Sequence, residues 1–339
     1  MLIVRPVTHQ DLSDIEKLVT SSETVLSTLS NQRDQLSQRI EDSILSFAGD
    51  RSRTGKERFL FVLEDLSLEQ NRLVGVAGID ACAGNGAPFY NYRKDELLHA
   101  SHSLDVHNRL PVLYMTHELT GCSQLCSLNI RTDYKLGNSL ELLSRARLLF
   151  VGIFREYFSR ELVVEMQGQH NDSGQSPFWD SLGRHFFDMD FKSASYYSAI
   201  KSKTFIAELM PSHPIYVPLL SPAAQAALGK PNEAVTPGYQ VLLREGFRVS
   251  KHVDIFDGGP TLMARLDDLK TLNHYHYKFY QQGEKSRQGA KYMVCNPSLS
   301  DFRCALSYVE ESDDTVALES ELIEALCLQE DDRIAVVAF

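Results

Sequence analysis

Two apolar runs, Phe59-Leu60-Phe61-Val62-Leu63 and Leu73-Val74-Gly75-Val76-Ala77-Gly78-Ile79, flank the polar segment Ser67-Leu68-Glu69-Gln70-Asn71. Short continuous apolar runs rich in β-branched and aromatic residues, broken by a polar turn, predict a pair of buried strands. The neighbouring segments narrow the choice further. Upstream, Leu2 to Val7 reads as a strand. Thr8 then caps a helix with Asp11 in a box-like position, and Leu12, Ile15, Leu18 and Val19 form its buried face. A second helix is expected over Asn31 to Phe47. Downstream, Val112 to Thr116 and Leu125 to Ile130 are expected strands. A long amphipathic helix follows from Leu140 to Phe158, bearing Arg145, Arg147 and Arg155, and then a strand over Leu162 to Met166. This succession restricts the chain to an α/β fold, and several α/β folds satisfy it.

The second half reads differently. Helical stretches are expected near 176–187, 203–210 and 235–245. Beyond Lys270 come short strands at Tyr292 to Cys295, Phe302 to Leu306, Val316 to Leu318 and Ile334 to Val337, with one helix over Glu319 to Cys327. We therefore expect a main region at 1–269 and a small β-rich C-terminal subdomain at 270–339. Ala48 to Glu57 and Ala83 to Leu98 read as loops, the latter because of Gly84, Gly86 and Pro88. The cluster His274-Tyr275-His276-Tyr277 with Tyr280 has no carboxylates at metal-ligand spacing and reads as a polar connector surface. In the stretch 176–187, Ser176 starts a helix with Pro177 in its first turn, and Phe178, Trp179, Leu182, Phe186 and Phe187 are assigned to the core.

Bulk properties exclude more than they assign. A chain of 339 residues can bury a sizeable core. Its formal net charge of -11 argues against nucleic acid or an anionic membrane as partner, since both call for basic patches. The six cysteines, Cys82, Cys122, Cys126, Cys295, Cys304 and Cys327, form no CxxC pair and read as reduced thiols. The N-terminal segment leads into a polar helix rather than a long apolar run, so a cytoplasmic protein is expected, with neither signal peptide nor membrane span.

Three segments are particular enough to carry a resemblance: Ser176-Pro177-Phe178-Trp179-Asp180-Ser181-Leu182-Gly183-Arg184-His185-Phe186-Phe187, Phe205 through Tyr216, and Asp254-Ile255-Phe256-Asp257-Gly258-Gly259-Pro260-Thr261-Leu262. They resemble the arginine N-succinyltransferase family, a family of GNAT-type acyltransferases that includes arginine/ornithine succinyltransferase subunits. The resemblance implies a GNAT-like acyltransferase core and transfer of a succinyl group from succinyl-CoA to the α-amino group of L-arginine, the first step of arginine breakdown by the succinyl route. It implies succinyl-CoA as a co-substrate, no permanently bound cofactor or metal, and assembly into a homo-oligomer or a hetero-oligomer with a related subunit. A different reading stays open, in which the chain is a non-catalytic or weakly active partner of such a hetero-oligomer. So does ornithine, or another basic amine, as acceptor.

The same resemblance distributes roles. Gly121 to Ser127 is similar to the family's acyl-CoA strand, which puts Leu125, Cys126 and Ser127 against the donor. In the loop before the long helix, Lys135, Gly137 and Asn138 stand where GNAT enzymes cradle a pyrophosphate with backbone N–H groups and a helix dipole, while Leu140 replaces the second glycine. Arg93, His99 and Ser101 resemble family positions. Arg93 is assigned to a carboxylate, because selecting succinyl over acetyl requires one buried cation. Glu165, Asp254 and Asp257 are assigned to the cationic acceptor. The family's proton-donating histidine falls at Asn232 here, within Pro231-Asn232-Glu233, and asparagine cannot shuttle a proton. His252 is the first replacement considered, with His117 and His107 behind it.

Overall fold

The computed structural model of the chain describes residues 1–21, 29, 32–50, 54–171, 173–200, 204–283, 289–309 and 314–339. Asn31, the first residue of the expected 203–210 helix and part of the loop expected over Ala48 to Glu57 lie outside them. The first half runs β1 (Leu2–Pro6), α1 (Leu12–Thr20), α2 (Arg33–Phe47), β2 (Arg58–Asp65), β3 (Leu73–Asp80), β4 (Asn91–Ser101), β5 (Val106–Thr116), β6 (Ser123–Ile130), α3 (Ser139–Ile153) and β7 (Glu161–Glu165). Short helices follow: α4 (Pro177–Ser181), α5 (Arg184–Phe187), α6 (Phe191–Ile200) and α7 (Thr204–Leu209). Next come β8 (Ile215–Tyr216), α8 (Pro222–Ala227), α9 (Thr236–Glu245), β9 (Arg248–Asp254) and β10 (Pro260–Arg265). The last part is α10 (Lys270–His274), β11 (His276–Gln282), β12 (Ala290–Asn296), β13 (Arg303–Val309), β14 (Thr315–Leu318), α11 (Ser320–Ala325) and β15 (Arg333–Ala338).

These strands form one sheet in the order β14-β11-β15-β12-β13-β1-β2-β3-β6-β7-β10-β9-β4-β5-β8. The expected hairpin is its centre: β2 and β3 pair antiparallel from Arg58↔Asp80 to Glu64↔Leu73. Helix α3 lies on one face, where Leu142, Ala146, Leu149 and Phe150 join Phe59, Phe61 and Ile79 in the largest apolar cluster. Phe150 meets Phe47, Phe59, Phe61 and Phe302 edge-on, with centroids 4.9 to 5.6 Å apart, which adds directional contacts to the area buried. Helices α1 and α2 cover another cluster through Ile15, Leu18, Leu36 and Ile40. The entry into α1 has the expected box geometry. Asp11 accepts from the Thr8 N–H at 2.7 Å, and Arg5 grips the same carboxylate with two bonds of 2.9 Å.

Two elements depart from the pattern reading. Asn91 to Leu98 is a strand rather than a loop, because β4 pairs with β5 along their full length from Asn91↔Thr116 to Ser101↔Val106. The outer half of this hairpin is exposed on both faces, so it carries no apolar alternation for a pattern reading to detect. The His-Tyr cluster likewise belongs largely to β11, wedged between β14 and β15. The tail strands join the central sheet through β13 and β1 and also share an apolar cluster of their own under α11. Of the aromatics assigned to the core near Trp179, Phe178, Trp179 and Phe187 are buried, while Phe186 is 42% exposed. The Ser176 hydroxyl caps α4 by accepting from the Trp179 N–H at 3.2 Å.

Candidate active site

Strands β6 and β7 run parallel, but their pairing consists only of Ser123↔Leu162 and Gln124↔Val163. Beyond it they part. On its other edge β6 carries a bulge against β3, since Gly78↔Cys126 and Val76↔Asn129 leave Ser127 and Leu128 opposite Ala77 alone. Ser127 takes up the extra length with φ +55°. A cleft of about 200 Å³ opens between the parted strands. Its lining includes Leu125, Cys126, Ser127, Lys135, Leu140, Arg147, Glu165, Asp254 and Asp257. A broken parallel pair leaves strand-edge backbone facing open space, which an extended ligand can meet with its own amides.

The acidic side of the cleft is assembled from distant strands. Glu165 ends β7, paired with Thr261 of β10, and Asp254 ends β9, paired with Asn91 of β4. Asn91 donates to Glu165 Oε1 at 3.4 Å. The turn after β9 is built around its two aspartates. Asp254 Oδ1 accepts the N–H groups of Phe256 and Asp257 at 2.7 and 2.8 Å. Asp257 accepts from Gly259 through Oδ1 and from Gly168 through Oδ2, both at 2.8 Å. The two glycines are required by space: a Cβ on Gly259 would lie 2.1 Å from the Met166 carbonyl, and one on Gly168 would lie 2.6 Å from that of Asp257. Burial pushes the Asp254 carboxyl well above the usual carboxylate range, and the negative charges of Asp257 and Glu165 push the same way. Asp257 thus serves mainly to hold the turn, and Asp254 keeps Oδ2 without a hydrogen bond among the described residues.

Leu125, Cys126, Ser127, Lys135, Glu165, Asp254 and Asp257 therefore come together in one cleft. Gly137 and Asn138 lie in the loop just before α3, where Gly137 has φ +97° and Asn138 is the helix N-cap residue without a side-chain cap bond. Lys135 also borders a second cavity with Asn129, Ile130 and Arg131.

The remaining assignments fall elsewhere. Arg93, expected at a substrate carboxylate, pairs with Asp95 at 3.6 Å and Glu118 at 3.5 Å and lies outside the cleft lining. His252, the first histidine considered for proton transfer, also lies outside it; its Nε2 is 2.5 Å from Glu118 Oε1. Both sit where β9 and β4 pair, at Arg93↔His252, and both contact the Glu118 carboxylate. His99 contacts Tyr216 at 3.4 Å, and Ser101 contacts Ser103 at 3.1 Å, out along the β4–β5 hairpin. Asn232 is a cap. Its Oδ1 accepts from the Ala234 N–H at 2.9 Å, and its own N–H donates to the Gln167 carbonyl at 2.8 Å, which seats the segment carrying Ala234 and Val235 on the cleft.

Pattern reading assigned no role to Arg147, Gln167, His170 or Phe191. His170 Nε2 lies 3.5 Å from Asp257 Oδ2, with its ring against Phe191. Only Arg147 left a signal: it sits four residues after Leu143 and three before Phe150, inside the apolar stripe of α3.

Comparison with known proteins agrees with this architecture. The family model described as arginine N-succinyltransferase beta subunit matches residues 2–271, and that of its C-terminal domain matches 278–338. The arginine N-succinyltransferase of Yersinia pseudotuberculosis (serotype O:3, strain YPIII) is 38% identical over 348 residues, covering 100% of this chain and 98% of that protein. The arginine N-succinyltransferase subunit alpha of Pseudomonas aeruginosa is 39% identical over 339 residues, covering 100% of both. A solved structure, that of arginine/ornithine succinyltransferase subunit AI from Pseudomonas aeruginosa, superposes with a TM-score of 0.92 at 37% identity over 100% of this chain and 98% of that one. The chain belongs to the arginine N-succinyltransferase family.

Proposed function

We propose that this chain is an arginine N-succinyltransferase, moving a succinyl group from succinyl-CoA to the α-amino group of L-arginine. One observation carries the chemistry: the cleft between the parted strands presents Lys135 and Arg147 together with the acidic cluster of Glu165, Asp254 and Asp257. The donor enters as an extended chain along the free edge of β6, with its phosphates near Lys135 and the α3 N-terminus. The carboxylates draw in a cationic acceptor, and its charge offsets the repulsion among them.

The ammonium of the acceptor must first lose a proton, because its lone pair is the nucleophile. Asp254 is the acceptor of that proton, since a carboxylate whose pKa is raised by burial and by the charges of Asp257 and Glu165 is a stronger base than an ordinary one. The amine nitrogen then bonds to the thioester carbonyl carbon, the C–S bond breaks with its electron pair going to sulfur, and the extra proton left on nitrogen passes to the departing thiolate, giving the amide and free CoA. Cys126, the cysteine in the cleft lining, is not suited to act as a covalent nucleophile. Burial pushes Cys122 up to about 11 and raises Cys126 as well.

The reading of the chain as an inactive partner subunit is not favoured. Its relatives over the full chain are named as arginine N-succinyltransferases. Assembly into an oligomer is part of the proposal, supported by the relative named as a subunit, and light scattering on the pure chain measures it. A cytoplasmic address suits six unpaired thiols and an acyl-CoA donor. No helix among the described residues is long and apolar enough to cross a membrane.

The test is thiol release from succinyl-CoA by the purified chain, with L-arginine and then L-ornithine as acceptor. Arginine-dependent release of free CoA is expected. No release from a chain whose Trp179 fluorescence shows it folded would remove the reading.

A further inference from the structure

Two arginines stand two residues apart on α3 and differ in one respect. Arg145 is paired: its Nε lies 2.8 Å from Glu245, and Glu141 is 3.7 Å from its Nη1. Arg147 is 2% exposed and has no carboxylate partner among the described residues. Its Nη1 donates to the carbonyls of Gly78 and Cys126 at 3.1 and 3.2 Å, its Nη2 reaches Ser144 Oγ at 3.5 Å, and its Nε has no partner. Neutral carbonyls satisfy N–H groups but do not neutralise a charge, and a lone buried cation is costly. Burial pulls this guanidinium down to about 10. An anion entering the cleft would supply the counter-charge this guanidinium lacks among the described residues. Arg147 lines the cleft directly behind Cys126, on the strand assigned to the acyl donor.

We propose that Arg147 is the carboxylate-reading residue of the donor site, pairing with the terminal carboxylate of a dicarboxylic acyl group and so selecting succinyl over monocarboxylic acyl chains. The inference rests on the reading of the cleft as an acyl-CoA site. It replaces Arg93 in the role that a buried cation must fill, because Arg93 is already paired with two carboxylates outside the cleft. The guanidinium fork suits a carboxylate, and Nε is the guanidinium nitrogen left without a partner.

The experiment compares succinyl-CoA with butyryl-CoA, which puts a methyl group where succinyl has its carboxylate. Binding is measured by calorimetry on the full chain, for wild type, Arg147→Met and Arg147→Lys. Wild type is expected to prefer succinyl-CoA roughly 10- to 100-fold, the range for a hydrogen bond to a charged group. That ratio should fall below about threefold in Arg147→Met and to an intermediate value in Arg147→Lys, which keeps the charge but loses the fork. A role confined to tying α3 to the sheet would weaken both donors together and leave the ratio intact, which overturns the proposal. So does a wild-type chain that binds the two donors equally, an outcome needing no variant to fold. If neither donor binds the wild type, the acyl-CoA reading itself fails.

Discussion

The carbonyl of Cys126 accepts a hydrogen bond of 3.2 Å from Nη1 of Arg147. That bond joins the middle of α3 to the strand that opens the cleft, and the same guanidinium reaches Gly78 on the strand behind it. The helix is thereby pinned to the β3–β6 pair beside the bulge at Ser127. A cation in this position shapes the cleft as well as charging it.

Asp254 should control the acid side of the pH profile. As a base it must be ionised, so kcat/KM with arginine should fall as pH drops through its raised pKa rather than through the ordinary value of 3.8. Asp254→Asn should lower kcat roughly 10²- to 10⁴-fold and remove that limb. The stability effect has the opposite sense from a salt-bridged carboxylate. Between 3.8 and the raised value the folded state holds more proton than the unfolded, so this group's contribution to stability falls as pH rises through that window. Urea midpoints across it should vary less in Asp254→Asn than in wild type. Unchanged kinetics and unchanged pH dependence would assign the proton to another group.

Asn232 caps the turn at Ala234 and has no titratable proton to donate. Asn232→His should raise kcat by about 10²-fold, at the lower edge of what general acid catalysis supplies, by offering a proton to the departing thiolate. Asn232→Ala should instead cost about 0.5–2 kcal/mol of stability through the lost cap. Steady-state kinetics with a melting curve separates the two effects. A flat kcat in the histidine variant would mean that thiolate departure does not limit the rate.

Gly259 has no room for a side chain, because an added Cβ would meet backbone rather than a movable side chain. Gly259→Ala should destabilise the chain by about 1–3 kcal/mol or more and reduce activity by displacing the aspartate turn. Gly121, where a Cβ would meet nothing within 4 Å, is the control, and Gly121→Ala should stay within about 0.5 kcal/mol of wild type. Equal denaturant midpoints for the two variants would contradict the packing seen at the turn.

Arg39 and Asp80 form a buried pair at 2.8 Å, with Arg58 adding a longer contact of 3.4 Å to the same carboxylate. Asp80→Ala leaves Arg39 buried without its counter-charge and should cost about 3–5 kcal/mol. The double variant Arg39→Met, Asp80→Leu should recover most of that loss, since it removes both desolvated charges. Chemical denaturation of the single and double variants measures the difference, and a double variant no better than the single would show that the pair is net stabilising.

Much of the scaffold was legible in the chain because its signals are local. The β2–β3 hairpin, the strands β6 and β7, and the helix between them follow from apolar runs and from spacing within a few residues. The family segments similarly pointed to Leu125, Lys135, Glu165 and Asp254, all of which line the cleft. Tertiary structure alone decided which charged residues stay available for a ligand. Arg145 and Arg147 look alike in sequence, yet one meets the Glu245 carboxylate and the other only neutral carbonyl and hydroxyl oxygens. Arg93 resembled a ligand residue until β4 paired with β9 and set it beside Glu118. The acidic cluster draws its backbone donors from across the fold, as when Gly168 donates to Asp257, 89 residues away. Local pattern specifies an element because its backbone bonds and apolar face lie within that element. A charge is spent or spared only by what long-range packing puts next to it.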